Sequence, residues 1–150
     1  MKESSQYKIT IGAPKEKVWS TLFDDATYRQ WTAVFAEGSK AETDWKTGSK
    51  VFFLDGKGSG MVSTIAENKP NEFMSIKHLG IVINGVEDYD SEEAKKWSNG
   101  LENYTLKPVQ GGTELVIDLS AENIPAEFKE YFATTWPKAL NKLKELAEQN

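Results

Sequence analysis

Few side chains in this 150-residue sequence have the type and setting to do chemistry, and the first is His78, its one histidine. It lies in Met74-Ser75-Ile76-Lys77-His78, where Met74, Ile76 and His78 alternate onto one strand face and Ser75 and Lys77 onto the other. Two roles suit it. It is a general base or orienting donor inside an apolar cavity, or a hydrogen-bonded residue of the core or its rim, the commoner fate of a lone histidine on an apolar face. The second is preferred, so no catalytic residue is assigned and His78 stays the weak candidate. Tyr104 shares a face with Leu106, and its hydroxyl is a second polar group that a ligand could meet, although a buried phenol more often bonds backbone or water. Glu102 falls on that same face, but an exposed carboxylate at the strand end is the favoured reading.

The familiar catalytic and metal-binding patterns are missing. The acidic run Glu87-Asp88-Tyr89-Asp90-Ser91-Glu92-Glu93 fails as a calcium loop: counted from Asp88, the sixth position is Glu93 where glycine is required, and the twelfth is Asn99 where a bidentate glutamate belongs. Gly56-Lys57-Gly58-Ser59 is a hairpin turn and not a phosphate loop, because Val51 stands at the first glycine position and Gly58 replaces the hydroxyl residue after lysine. With no cysteine, no nucleophile elbow and no paired histidines, the sequence leans away from an enzyme, and neither a cofactor nor a metal is expected. A net charge of -5 with unclustered basic residues argues against nucleic acid. Leu79 to Ile83, the longest aliphatic stretch, is too short to span a bilayer, and the polar start at Met1 to Gln6 lacks a signal-peptide core, so a cytoplasmic location is expected.

The elements that must position these groups can be read from periodicity. Phe128, Tyr131, Phe132, Thr135, Trp136, Ala139, Leu140, Leu143, Leu146 and Ala147 recur at three- and four-residue steps, forming one broad apolar face of a long final helix. Such a face needs a concave partner. Strands are predicted at Tyr7 to Ile11, Ser39 to Thr43, Lys50 to Leu54, Gly60 to Ala66, Glu72 to Ile83, Leu101 to Pro108 and Thr113 to Ser120, joined by compact Gly- and Pro-containing turns that favour antiparallel neighbours. Gly60 and Gly80 suit bends in a curved sheet. Pro14 suits the first turn of a helix burying Val18, Trp19, Leu22 and Phe23, and Thr27 suits the cap of a second short helix carrying Tyr28 and Trp31. Between Asn84-Gly85 and Gly100 lies the longest interruption, holding a helix from Glu92 to Asn99 capped by Ser91, with Trp97 as its anchor at the sheet rim. Pro137 should kink the final helix near Ala133 or restart it with Thr135 as a cap.

The pattern Ile9-Thr10-Ile11-Gly12-Ala13-Pro14-Lys15-Glu16-Lys17-Val18-Trp19, then Leu22-Phe23-Asp24 and Tyr28-Arg29-Gln30-Trp31, resembles the activator-of-heat-shock-ATPase-like (AHSA-like) branch of the START and pollen-allergen (SRPBCC) superfamily. Asp44-Trp45-Lys46-Thr47-Gly48-Ser49, Gly60-Met61-Val62, Gly112-Thr113-Glu114-Leu115, and Trp136 with Leu140 and Leu143 extend the resemblance over Tyr7 to Ala147. It implies an α+β helix-grip fold occupying residues 1–150 as a single domain: a curved seven-stranded antiparallel sheet wrapped around a long C-terminal helix, with two short helices closing one end. The resemblance also implies an apolar ligand, such as a lipid, sterol or polyketide, held between sheet and helix. A cyclase- or hydrolase-like activity using His78 is one alternative. A heat-shock chaperone as partner is another, ranked lower because the additional N-terminal domain of the activator that names the branch has no counterpart in this sequence.

The expected function is therefore non-catalytic binding of a small apolar or amphipathic molecule by a monomer. Trp31, Phe53, Ile76, Tyr104, Leu106, Ile117, Phe132 and Trp136 are predicted to form the wall, His78 the polar contact and Trp97 the flap anchor. An empty apolar hollow of roughly 300 Å³ would cost about 7 kcal/mol, so whether aromatic side chains fill the space decides the reading.

Overall fold

The computed structural model describes residues 3–121 and 126–149. Alternation at Tyr7, Ile9 and Ile11 does mark a strand, but β1 spans Glu3–Ile11, longer than its apolar pattern, because its whole length pairs with β8 (Gly112–Ala121) from Glu3↔Ala121 to Ile11↔Thr113. The other strands are β2 (Lys40–Glu42), β3 (Lys50–Leu54), β4 (Gly60–Lys69), β5 (Phe73–Ile83), β6 (Val86–Asp88) and β7 (Leu101–Val109). They form one antiparallel sheet in the order β1-β8-β7-β5-β4-β3-β2, with β6 attached beside β5. Seven strands thus make the predicted curved path. The eighth was not predicted: Asn84 and Gly85 both take positive φ, 51° and 83°, the two-residue turn that reverses a chain into a hairpin, and Ile83 pairs with Val86.

Two bulges bend the sheet. Val62 pairs with Gly80 and Ser63 with His78, which leaves Leu79 as the extra residue on β5, and a second irregularity leaves Ala66 extra on β4. Gly80 beside the first bulge is needed for close approach, since a Cβ there would sit 2.4 Å from the Asp88 carbonyl oxygen of the β6 segment. Beyond the bulge, β5 leaves β7 and pairs with β6, so the sheet forks.

Helices α1 (Lys15–Phe23) and α2 (Asp25–Thr32) follow β1 and bury Val18, Leu22, Phe23, Tyr28 and Trp31. Pro14 stands at the N-cap and not inside the first turn, and Asp24, not Thr27, occupies the N-cap of α2; the Thr27 hydroxyl instead donates to the Asp24 carbonyl at 3.2 Å. In the fork sits α3 (Glu92–Trp97), where the Ser91 side chain accepts from the Ala94 amide at 3.1 Å as the sequence predicted. It ends two residues earlier than expected. Asn99, at φ 67°, makes the left-handed turn into β7.

The closing helix α4 (Ala126–Glu148) runs unbroken through Pro137, with no restart at Thr135. Both Pro137 and Ala133 are exposed, so the proline ring and the residue whose carbonyl loses its amide partner lie on the solvent side of the helix. Thr135, Trp136, Ala139, Leu140, Leu143, Leu146 and Ala147 are buried on the face that α4 turns to the sheet and to α1 and α2, while Tyr131 at the edge of the stripe is exposed and its hydroxyl donates to the Phe35 carbonyl. Among the described residues no helix is long and apolar enough to cross a membrane.

Candidate functional site

The two halves of α4 meet the sheet differently. Leu140, Leu143, Leu146 and Ala147 join Ile76, Leu106, Leu115 and Ile117 in one close-packed core. Under Phe132 and Trp136 a cavity of about 230 Å³ remains, lined by those two rings and by Tyr28, Trp31, Phe35, Phe53, Trp97 and Tyr104, with Met61 and Leu119. The interior is therefore neither solid nor as roomy as the usual small-molecule site of about 300 Å³ and upward.

Its walls come from distant parts of the chain. Alternation on β3 faces Val51 and Phe53 inward, opposite Ser63 and Met61 of β4. The Trp31 indole donates to the Leu22 carbonyl at 3.1 Å, which fixes the ring where it meets Trp136, 6.1 Å between centroids. Phe35 packs edge-on to Trp136 at 4.9 Å. At the mouth, Trp97 of α3 lies edge-on to Phe128 at 5.1 Å and to Phe132 at 6.2 Å of α4, so a six-residue helix is joined to the closing helix chiefly through aromatic edges.

Of the residues expected at the wall, Trp31, Phe53, Tyr104, Phe132 and Trp136 line the cavity, as do His78 and Trp97. Ile76, Leu106 and Ile117 do not. They are 1%, 4% and 0% exposed within the packed core, because the hollow lies toward the start of β7 and the end of β8. In the register, Tyr104 faces Ile117 and Glu102 faces Leu119, so moving one inward pair toward that end exchanges Ile117 for Leu119, which does line the cavity.

The polar chemistry is concentrated at this end, where sequence reasoning preferred an exposed Glu102 and missed Ser63. Ser63, 0% exposed, bonds His78 Nδ1 through its Oγ at 2.7 Å. His78 Nε2 stands 3.3 Å from Glu102 Oε1, and the Tyr104 hydroxyl donates to Glu102 Oε2. Glu102 is thus not an exposed strand-end carboxylate: its side chain keeps 19% exposure and lines the cavity, because β7 begins beneath α4 and not at the outer margin of the fold. Its place on the inward alternation was the available signal. Ser63 had none, since its partnership with His78 depends on the bulge at Leu79.

Burial pushes the Tyr28 and Tyr104 phenols well above their ordinary range, and the charge on Glu102 pushes both further the same way. The array Ser63–His78–Glu102–Tyr104 has the composition of a hydrolytic triad with a phenol added. Ser63 is sealed beneath His78 and does not line the cavity, so it orients the imidazole and cannot attack a bound molecule. What the arrangement can do is present a carboxylate, an imidazole edge and a phenol oxygen to whatever occupies the apolar space. Among the described residues no group of three acidic or histidine side chains is arranged to hold a metal ion.

Solved structures share this architecture. A Mesorhizobium loti protein, MLL2253, superposes with a TM-score of 0.74 at 17% identity, covering 96% of each chain. The Aha1 dimer from Colwellia psychrerythraea, solved in solution, matches with a TM-score of 0.70 at 19% identity, covering 97% of this chain and 96% of that one. CalU16 from Micromonospora echinospora matches with a TM-score of 0.66 at 16% identity, over 97% of this chain and 74% of that one. At such identities the likeness is one of fold. No curated protein matches by sequence. The sequence signature of a family does match, across residues 12–148 and so from the β1–α1 turn to the end of α4: this chain belongs to the family described as Activator of Hsp90 ATPase homolog 1-like protein.

Proposed function

We propose that the protein binds, without chemically altering it, a small apolar or amphipathic molecule in the hollow beneath Phe132 and Trp136. The observation that carries this reading is the hollow itself: about 230 Å³ left open in a core that is otherwise closely packed, walled by eight aromatic rings and closed at one end by His78, Glu102 and Tyr104. Left dry, that volume would cost about 5.5 kcal/mol at roughly 24 cal/mol per Å³, a large part of a domain's stability. A ligand that replaces water there recovers apolar contact from rings already held in place, so little ordering cost opposes binding.

Trp97 is the gate residue in this reading, and Trp31, Phe53, Tyr104, Phe132 and Trp136 are the contact surface, with His78 at the polar end. A chaperone partner has only the family description in its favour, whereas the hollow is a property of this chain's own residues.

The test is native mass spectrometry of freshly purified protein, followed by thermal unfolding with a panel of small fused-ring and short-chain amphiphiles of neutral, positive and negative charge. A true ligand at a hundred times its Kd adds about 2.7 kcal/mol, which raises Tm by about 5–10 °C in a domain of this size. No co-purifying mass and no shift with any compound would overturn the proposal.

A further inference from the structure

The charges around the hollow select among ligands, an inference that rests on the binding reading above. Among the described residues Glu102 is the only carboxylate lining the cavity, and neither lysine nor arginine lines it. Both Glu102 oxygens are engaged once, Oε1 by His78 Nε2 at 3.3 Å and Oε2 by the Tyr104 hydroxyl. An ionised carboxylate accepts about four hydrogen bonds, so about two acceptor positions remain for a third partner.

His78 does not supply the missing positive charge. When neutral it leaves Glu102 as the one net charge of the site. When protonated, its two N–H groups point at Ser63 Oγ and Glu102 Oε1, and none is left for an incoming anion. In either state a ligand carboxylate would stand beside Glu102 with no unengaged cationic N–H among the lining residues to meet it. The upward displacement of the Tyr28 and Tyr104 phenols, caused in part by Glu102, places that negative field on two walls of the same hollow.

We propose that the cavity accepts an uncharged or cationic fused-ring or short-chain molecule whose hydroxyl or amine donates to Glu102, and that it rejects carboxylates, fatty acids included. The apolar body lies among Trp31, Phe53, Phe132 and Trp136, and the donor group points to the end where β7 begins.

Three probes sharing one ring system test this near neutral pH: 2-naphthol, 2-naphthylmethylamine and 2-naphthoate, with affinities read by calorimetry and tryptophan fluorescence. The alcohol and the amine are expected to bind at least about tenfold more tightly than the carboxylate. Glu102→Gln is expected to weaken the amine about tenfold and to close most of the gap to naphthoate. Naphthoate binding the unaltered protein as well as naphthol does would overturn the selectivity while leaving ligand binding intact. Binding by none of the three would overturn the selectivity, and the underlying reading as well if no compound of the wider panel binds. The comparison of probes on the unaltered protein decides the matter even if Glu102→Gln folds poorly.

Discussion

His78 of β5 and Glu102 of β7 bring Nε2 and Oε1 to 3.3 Å although their strands stop pairing at Lys77↔Leu101, one residue before the histidine. Two backbone bonds bridge the fork at that point. The His78 amide donates to the Gly100 carbonyl at 2.8 Å, and the Asn99 amide donates to the His78 carbonyl at 2.8 Å. The main chain is fixed on the β7 side and the ring is held by Ser63 on the β4 side. The imidazole therefore faces the cavity as a rigid group.

Ser63→Ala tests that anchoring. The substitution removes the Oγ partner of a histidine that is 8% exposed and leaves Nδ1 unsatisfied beside a small void. Urea unfolding should report a loss of about 1–3 kcal/mol. Nitrogen-15 spectra should show the tautomer preference of the imidazole relaxing. Stability and tautomer both unchanged would mean that the bond does not orient the ring.

Tyr104→Phe tests the buried phenol through its pH dependence. The folded-state pKa is raised above the ordinary value of 10.0, so the phenol's contribution to stability is complete below about pH 10 and is lost as the pH rises toward the folded-state value. Between those two values the unfolded chain has released a proton that the folded one retains. Removing the hydroxyl should make the decline of stability with pH shallower by about 1.4 kcal/mol per unit, at the cost near neutrality of about 1–3 kcal/mol for the bond to Glu102. Denaturant midpoints measured across the alkaline range give both numbers. Identical slopes for the two proteins would show that Tyr104 already ionises while folded.

Legibility in the sequence followed the range of the interactions involved. Strand alternation, the α4 stripe and the Ser91 cap depend on residues a few positions apart, and each produced its element. The Asn84-Gly85 hairpin was equally local, but it fell inside a segment taken as an interruption, so β6 was missed. At the site, legibility fell off with register. Tyr104 and His78 could be placed inward by alternation alone, whereas Ser63 meets His78 only because Leu79 bulges out, a choice no local pattern announces. Ile76, Leu106 and Ile117 were given the right face and the wrong depth, since alternation reports which side of a sheet a residue occupies and not where along it the closing helix fits tightly. Pro137 does not restart the helix at Thr135 for a related reason: it and Ala133, whose carbonyl loses its amide partner, both lie on the exposed side of α4.

The difference in depth can be measured on α4 itself. Leu143, 0% exposed, belongs to the half that packs directly on the sheet, so Leu143→Ala should cost about 2–5 kcal/mol and leave probe affinity unchanged apart from the smaller folded fraction. Phe132 is only half-buried and already borders open volume. Phe132→Ala therefore removes fewer packed contacts and should cost less than the usual 3–5 kcal/mol for losing a phenyl group, while widening the mouth that Trp97 shares and speeding probe release. Chemical unfolding combined with stopped-flow dissociation of 2-naphthol separates the two variants. A larger stability loss from Phe132→Ala than from Leu143→Ala would mean that α4 grips the sheet evenly along its length, with no room beneath its first half.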